Sequence, residues 1–373
     1  MQVSERDNEV CFHGGASFEA IGADFGRLDR VQEVISADVL DAWFPPAPAV
    51  LARLREFLPW IARTSPPTDC EGLLETVAHC RGVPEDSIAV GAGSSNLIFL
   101  ALGEWLNPSS RVLLLDPTYG EYAHVCENII GCRVDRLRLS ASKGFEVDPG
   151  QLAEEVAKGY DLVVLVNPNN PTGQHIPKAE LKRLFEAAPT STTFWIDETY
   201  VDYAGADQSL ERFASSSPNV IVCKSMSKAY ALSGLRVGYL CGNPEVIRSL
   251  RRLTPPWAVS LPGQIAGVTA LQDPAYYGER YEETAILREE LSRELVSVGI
   301  QSIIPGVANF LLFYLPPAVL SKPELFDGCA SRGLYLRDPS VTSPALGPRA
   351  VRIAVKDRTT NCRMIEILGS ALN

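Results

Sequence analysis

The sequence predicts an α/β protein, in which a three-layer α/β/α domain with a mostly parallel sheet is joined to a smaller α+β domain. Three observations support this fold class. From residue 88 onward, short apolar runs alternate with helical segments. Those runs end in polar turns, as the strands of an open parallel sheet do. After about residue 260, a long helix is followed by shorter strands, which indicates a second unit.

Five apolar runs have the length and the β-branched composition of buried strands. They lie at 87–90, 112–115, 162–166, 193–196 and 219–223. In the last third of the chain we predict a helix over 275–298 and strands near 309–313, 333–336 and 351–355. The chain then divides into an N-terminal arm with the start of the small domain (1–50), a large domain (51–262) and a C-terminal small domain (263–373).

Composition excludes several classes of function. The formal charge of −11 argues against a nucleic acid partner, because phosphate backbones bind basic surfaces. The nine cysteines are odd in number and form no C-x-x-C pair, which predicts reduced thiols in a cytoplasmic protein. The four histidines lack ligand spacing, so we expect no metal site. The acidic N-terminus is not a signal peptide, and no apolar stretch approaches the roughly 20 residues of a membrane helix.

Polar side chains follow the predicted strands at the points where they end. Because parallel strands deliver their carboxyl ends to one edge of a sheet, one site is expected to gather these residues. They are Ser94, Tyr119, Asn170, Asp197, Tyr200 and Lys228. The turn at 91–96, Gly-Ala-Gly-Ser-Ser-Asn, precedes a helix and exposes backbone N–H groups to which a phosphate can bind. Taken alone, this turn is also compatible with an ordinary strand-to-helix connection.

The segment around Lys228 carries the chemistry. Two hydroxyls, Ser225 and Ser227, precede the lysine, and Arg236 follows it by eight residues. A lysine can form a Schiff base with a carbonyl, while hydroxyls and an arginine hold a phosphate. This segment by itself suits several phosphorylated ligands that carry a carbonyl group.

Three motifs follow one another along the chain. They are Asn-Pro-Asn-Asn-Pro-Thr-Gly (167–173), Asp-Glu-Thr-Tyr (197–200) and Ser-Met-Ser-Lys-Ala-Tyr-Ala-Leu-Ser-Gly-Leu-Arg (225–236). In this order they resemble the class I and II aminotransferases of fold type I, which depend on pyridoxal 5'-phosphate (PLP). From about residue 40 to its C-terminus, the chain is most similar to the branch of histidinol-phosphate aminotransferase and threonine-phosphate decarboxylase. The early His-Gly-Gly (13–15) resembles the N-terminal arm of the decarboxylase.

The resemblance implies PLP as cofactor and assigns roles around it. Lys228 would be the Schiff-base lysine, in preference to Lys224, which is interpreted as a solvated or helix-capping charge. Asp197 would pair with the pyridine nitrogen and keep the ring an electron sink. Tyr200 and Asn170 would hydrogen-bond the phenolic oxygen of the ring. The remaining implied cofactor-binding residues are Gly93, Ser94, Ser95, Tyr119, Ser225, Ser227 and Arg236.

The resemblance also implies an amino-acid substrate and the residues that bind it. Arg352 matches the family's arginine for the α-carboxylate, and an arginine inside an apolar strand is expected to have a buried anionic partner. Asn309 occupies a matching position near the carboxylate. Arg337 resembles the arginine that binds a phosphate on the substrate itself. A strand-end hydrogen bond is the structural alternative for Asn309.

Several departures from the family pattern stand out. Ser95-Asn96 replaces the acidic pair that follows the glycine turn in histidinol-phosphate aminotransferases. The segment 63–68 lacks the tyrosine that reaches the cofactor phosphate of the neighbouring subunit. The loop over 338–350 is longer than usual, which is expected to alter the substrate pocket.

The same motifs serve two reactions. Transamination removes the Cα proton and decarboxylation removes the carboxylate, and the cofactor ring accepts electrons from either bond. We favour an aminotransferase for a substrate with a phosphate or phosphonate, with a decarboxylase as the alternative. A non-catalytic regulator that retains this fold is a third hypothesis, opposed by the joint presence of Lys228, Asp197 and Arg236. The family resemblance implies a homodimer.

Overall fold

The structure is a computed structural model, which describes residues 14–22, 24–317 and 321–372. His13 lies outside the described residues. The strands, numbered in chain order, are β1 (Ile35–Ser36), β2 (Ile88–Gly91), β3 (Arg111–Asp116), β4 (Arg133–Arg138), β5 (Leu162–Val166), β6 (Thr193–Asp197), β7 (Val220–Ser225), β8 (Gly238–Cys241), β9 (Ser302–Ile304), β10 (Phe310–Tyr314), β11 (Leu334–Tyr335) and β12 (Ala350–Ala354).

Helices connect these strands. They are α1 (Ser17–Ile21), α2 (Pro48–Ile61), α3 (Glu71–Arg81), α4 (Ser94–Trp105), α5 (Gly120–Ala123), α6 (Pro149–Val156), α7 (Lys178–Ala187), α8 (Glu211–Ala214), α9 (Met226–Ala229), α10 (Pro244–Arg251), α11 (Leu261–Leu271), α12 (Pro274–Ser297), α13 (Lys322–Ala330) and α14 (Arg358–Leu372). Within the described part of the chain, none of them is long and apolar enough to cross a bilayer.

A seven-stranded sheet in the order β2-β8-β7-β6-β5-β3-β4 forms the centre of the large domain. Strands β7, β6, β5, β3 and β4 pair in parallel. Strand β8 is antiparallel to both of its neighbours, so β2 runs in the same direction as β7. The five predicted strands are all present, and the predicted, mostly parallel sheet is confirmed.

Both faces of this sheet are covered, because its strands are apolar on each side. On β5, Val163 and Leu165 pack into one core, whereas Leu162, Val164 and Val166 pack into another on the opposite face. This alternation places one helical layer on each side of the sheet. The three-layer α/β/α arrangement of the prediction is therefore observed.

The C-terminal part builds its own core. An antiparallel sheet, β12-β10-β9, packs with α12, α13 and α14 in a cluster that also includes Ile35, Ala37 and Leu40. The helix predicted over 275–298 is observed as α12. β1 pairs in parallel with β11, so the chain before α2 belongs to this second unit. The exact domain limits at 50 and 262 stay predictions.

Candidate active site

A cavity of ≈ 360 Å³ lies at the carboxyl ends of β5, β6 and β7. The first turn of α4 and the loop after β3 line it on the sheet side. The segment 38–40 and residues of the C-terminal unit line it on the opposite side. Ligands of open α/β sheets bind at this edge. The cavity therefore lies where the polar strand ends of the sequence predict a site.

Most of the predicted site residues line this one cavity. They are Ser94, Ser95, Tyr119, Asn170, Asp197, Tyr200, Ser225, Ser227, Lys228, Arg236, Arg337 and Arg352. Gly93 and Asn309 do not line it. Gly93 has a φ of +85° and packs against the Arg236 guanidinium so closely that any side chain there would collide with it. Asn309 is buried and its Nδ2 donates to the carbonyl oxygen of Leu40, 3.0 Å away, which is the strand-end role that was its alternative.

Hydroxyls and one guanidinium cluster at the end of β7. The Oγ of Ser225 accepts a hydrogen bond from the N–H of Ser227 at 3.3 Å and caps α9. The Oγ of Ser227 accepts from Nη1 of Arg236 at 3.2 Å. Ser94 and Ser95 open α4 across the cavity, where the first N–H groups of a helix have no intrahelical acceptor. A phosphate would find charge-assisted donors from two directions in this cluster.

Asp197 presents a carboxylate whose two oxygens are both hydrogen-bonded. Its Oδ1 accepts from N and Oγ1 of Thr199, at 2.9 and 2.6 Å, and its Oδ2 accepts from the hydroxyl of Tyr122 at 2.7 Å. That hydroxyl in turn accepts from the indole of Trp195 at 2.8 Å. Burial raises the pKa of Asp197 against the opposing effect of these donors. A cation or N–H donor in the cavity would stabilise the ionised carboxylate.

Arg352 connects the C-terminal sheet to the motif 167–173. Its Nη1 donates to Oδ1 of Asn170 at 2.8 Å, and its Nη2 donates to the carbonyl oxygen of Asp38 at 2.6 Å. Both of these acceptors are neutral, so the expected anionic partner of Arg352 stays a prediction. Burial lowers the pKa of Arg352 to about 10, and its Nε is buried without a hydrogen-bond partner. Burial therefore outweighs the favourable effect of nearby groups such as Asp38 on this charge, which favours binding of an anion.

Lys228 and Arg337 complete the lining. The Nζ of Lys228 lies 2.7 Å from Oδ1 of Asp41, and burial lowers the pKa of Lys228 although this carboxylate opposes the shift. Arg337 and Arg352 are neighbours in an antiparallel bridge, with side chains that are both largely buried, at 7% and 8% exposure. Tyr200 is buried and hydrogen-bonded to Asn170, and burial raises the pKa of its hydroxyl.

Lys224 is neither solvated nor a helix cap, so that interpretation is wrong. It is a buried cation whose Nζ lies 3.1 Å from Oδ2 of Asp202 and 3.8 Å from Oε2 of Glu198. Nearby carboxylates raise the pKa of Lys224 against the effect of burial. The side chains of a strand alternate between its faces, and the two lysines are separated by the start of α9. Of these two lysines, Lys228 lines the cavity and Lys224 does not.

Sequence reasoning missed several lining or supporting residues. Thr199 and Tyr122 hydrogen-bond Asp197, and only Thr199 had a local signal, since it stands inside the Asp-Glu-Thr-Tyr motif. Asp41 reaches Lys228 from 187 residues away in sequence, so no motif or spacing identifies it. The long loop at 338–350 contributes Pro339 and Thr342 to the cavity, as the expected effect on the pocket suggested.

The residues fit pyridoxal phosphate. The cluster of Ser227 and Arg236 beside the first turn of α4 suits its phosphate, and the buried carboxylate of Asp197 suits a protonated ring nitrogen. Lys228 is the lysine within the cavity. The set therefore combines a phosphate cradle, a carboxylate and an amine in one cleft.

Comparison with known proteins agrees with this site. Residues 61–368 match the family described as aminotransferase class I and II. The histidinol-phosphate aminotransferase of Moorella thermoacetica is 30% identical over 326 residues, which cover 87% of this chain and 81% of that protein.

Two solved structures share the fold. The histidinol-phosphate aminotransferase of Sinorhizobium meliloti, in complex with pyridoxal-5'-phosphate, has a TM-score of 0.82 at 22% identity and covers 100% of this chain and 97% of its own. The L-threonine-O-3-phosphate decarboxylase of Porphyromonas gingivalis has a TM-score of 0.74 at 23% identity and covers 88% of this chain and 97% of its own. At these identities the likeness supports the fold alone.

The predicted fold type and the predicted cofactor, pyridoxal phosphate, are confirmed by these findings. The match to the family spans most of the chain and includes the three motifs that line the cavity. The chain belongs to the class I and II aminotransferases and is a PLP-dependent enzyme.

Proposed function

We propose that this aminotransferase acts at the Cα of an amino acid or amino alcohol that carries a phosphate or phosphonate group. The observation that carries the proposal is the pair of buried guanidinium groups, Arg337 and Arg352, in the wall of one cavity. The cation of Arg337 lowers the pKa of Arg352, so the two guanidinium groups lie close enough for one anionic substrate group to interact with both. Relatives named histidinol-phosphate aminotransferase support a phosphate-bearing substrate.

We assign the cofactor to the residues that fit it. Ser94, Ser225, Ser227 and Arg236 would hold its phosphate, and Tyr119 would lie along its ring. When bound, pyridoxal phosphate supplies an electron sink for a carbanion at Cα. Asp197 would hold a proton at the ring nitrogen, because a buried carboxylate strongly favours an adjacent positive charge. The three hydrogen bonds from Thr199 and Tyr122 keep the carboxylate oriented.

Lys228 is the proposed proton carrier. In its neutral form the amine would take a proton from Cα of the substrate and deliver it to the cofactor. Burial favours that neutral form, because it lowers the pKa of Lys228. Tyr200 and Asn170 would hold the phenolic oxygen of the cofactor ring by hydrogen bonds. Arg352 would bind a carboxylate when the substrate has one.

Replacement of Arg337 by alanine tests the substrate class. The KM for a phosphorylated amine such as histidinol phosphate should rise about 10–100-fold, because a hydrogen bond to a charged group contributes about 1.5–3 kcal/mol. Inorganic phosphate, which competes with the substrate of the unaltered enzyme, should compete less well with the substrate of the variant. Steady-state kinetics with both ligands measures these effects.

Arg349→Ala is the matched control. This arginine lies in the loop 338–350, which follows Arg337, but its Nε donates to the carbonyl oxygen of Leu315, 2.8 Å away, and it does not line the cavity. Its KM should change less than about threefold, as for a surface substitution. Equal KM values for Arg337→Ala and the unaltered enzyme would count against a phosphate-bearing substrate.

A decarboxylase is the second candidate. The observation that favours it is the position of Gly14, from the arm that resembles the decarboxylase, in the lining of the cavity. Both reactions use Lys228, as a base in one and as an acid in the other. Relatives that are 30% identical to this chain are named histidinol-phosphate aminotransferase, which supports transamination as the first choice.

We further propose a cytoplasmic homodimer. The helix α2 exposes Phe57, Leu58 and Trp60, with 41%, 59% and 46% of their surfaces accessible, and a cluster of this kind suits a subunit interface. The described cysteines are free thiols, which suits a reducing compartment. Light scattering on the active enzyme measures its mass, and a value for one chain would contradict the dimer.

A further inference from the structure

Asp41 is the closest charged partner of the active-site lysine. Its Oδ1 lies 2.7 Å from Nζ of Lys228 and accepts a hydrogen bond from Oγ of Ser233 at 2.6 Å. That hydroxyl is also within 3.5 Å of Nζ. The Asp41 side chain is 48% exposed, whereas that of Lys228 is 18% exposed. The carboxylate therefore connects a buried amine with solvent.

The backbone around Asp41 is held in place by other groups than Lys228. Lys356 reaches the carbonyl oxygen of Asp41 at 3.5 Å. The side chain of Asn309 donates to the preceding carbonyl, that of Leu40, at 3.0 Å. Both contacts come from the C-terminal unit. The carboxylate thus has a fixed position when the lysine leaves it to react.

The charged and titratable groups around this pair come from four elements. The carboxylate of Asp41 and the guanidinium groups of Arg352 and Arg236 affect the pKa of Lys228. The ammonium groups of Lys228 and Lys356 affect the pKa of Asp41. The phenol of Tyr200 also interacts with Asp41. Within this set Asp41 favours the ammonium form of Lys228, whereas the guanidinium groups of Arg352 and Arg236 disfavour it.

We propose that Asp41 is a positioning residue that controls the protonation of Lys228. The carboxylate stabilises the ammonium whenever the lysine is free and keeps its nitrogen at the mouth of the cavity. The proposal rests on the role of Lys228 given above, and it adds a residue to which no motif assigns a function.

The chemistry requires a change of protonation at each covalent exchange. The ammonium of Lys228 first loses one proton to solvent. The lone pair of the neutral amine then forms a bond to the carbonyl carbon of the cofactor, and the carbonyl oxygen leaves with the two amine protons as water. In the reverse direction the released amine takes up a proton beside Asp41. A carboxylate at this point therefore moves the pH at which Lys228 can react.

The test uses Asp41→Asn, which keeps the shape and removes the charge. Cofactor-free enzyme is mixed with pyridoxal phosphate at several pH values, and the covalent bond is trapped with borohydride and quantified at Lys228 by mass spectrometry. The pH midpoint of trapping should fall by about one unit relative to the unaltered enzyme, because an opposite charge at this distance shifts a pKa by about 1–3 units and this one is half-exposed. An unchanged midpoint, or a higher one, would overturn the proposal.

Two further variants separate charge from structure. Ser233→Ala removes the hydroxyl that orients the carboxylate and should lower the midpoint by less than about half a unit, since the charge remains. If Asp41→Asn does not fold, Ser233→Ala supplies the test. An increase in the pH midpoint of trapping for Ser233→Ala would then count against the proposed role of Asp41. Asp135, on the edge strand β4, forms an ion pair with Arg111 of β3. Asp135→Asn removes this carboxylate and should leave the pH midpoint of trapping unchanged. If the unaltered enzyme were labelled elsewhere than at Lys228, the role of Lys228 would fail first.

Discussion

Replacement of Lys228 by alanine should reduce the turnover number by about 10⁴-fold, the upper range for loss of a general acid–base group. The variant loses both the amine that carries the proton and the nucleophile that anchors the cofactor. The cavity keeps its phosphate cradle, so the variant should still bind pyridoxal phosphate, although non-covalently. Turnover with a phosphorylated amine and the absorbance of the lysine-bound cofactor measure the two effects.

Lys224→Met is the control for this change, because it removes the other lysine of the same segment. The variant should keep the absorbance of the lysine-bound cofactor. Its free energy of unfolding should fall by about 3–5 kcal/mol, since removal of one partner from a buried ion pair leaves Asp202 and Glu198 uncompensated. Denaturant unfolding measures that loss. A Lys228→Ala enzyme with full turnover would reopen the non-catalytic hypothesis for this site.

Replacement of Asp197 by asparagine should lower the turnover number by about 10²–10³-fold, as removal of a preorganised electrostatic group does in other enzymes. The asparagine fills the same space, but its single oxygen can accept from either Tyr122 or Thr199 and not from both. It has no charge to hold a proton at the ring nitrogen of the cofactor. Affinity for pyridoxal phosphate, measured by fluorescence titration, should also fall.

Glu198→Gln is the matched control for Asp197. Glu198 is the next residue and is equally buried, but it accepts a hydrogen bond from the N–H of Leu210 at 2.7 Å and does not line the cavity. Burial raises the pKa of Glu198 to about 7. Turnover of this variant should fall less than tenfold, within the range of a modest loss of stability. A larger loss than in Asp197→Asn would contradict the assignment of the carboxylates.

Much of the large domain could be predicted, because its signals are local. The sequence runs of β5, β6 and β7 are predominantly apolar, which is typical of parallel strands covered on both faces. Polar residues that follow those strands must lie at one edge of the sheet, so the sequence predicts Asn170, Asp197 and Lys228 together. The geometry of the sheet accounts for this success.

The remaining parts depend on contacts between distant segments. In the segment before α2, Asp38 lines the cavity and Asp41 contacts Lys228, and no periodicity predicts where such a segment crosses another unit. The partners of Lys224, Glu198 and Asp202, are also distant in sequence. A charged residue in an apolar run does not by itself show whether it is paired. Asn309 was assigned to substrate by family position, whereas its side chain supports the backbone of the segment that lines the cavity.

The central claim is that this site transfers an amino group and retains the carbon skeleton of its substrate. One measurement tests it most directly: stoichiometric enzyme with bound pyridoxal phosphate is mixed in separate experiments with histidinol phosphate, which has no carboxylate, and with L-threonine O-3-phosphate. The account predicts that histidinol phosphate converts the cofactor to pyridoxamine phosphate and yields the matching carbonyl product. Release of carbon dioxide from the threonine phosphate, without formation of pyridoxamine phosphate from either compound, would contradict it.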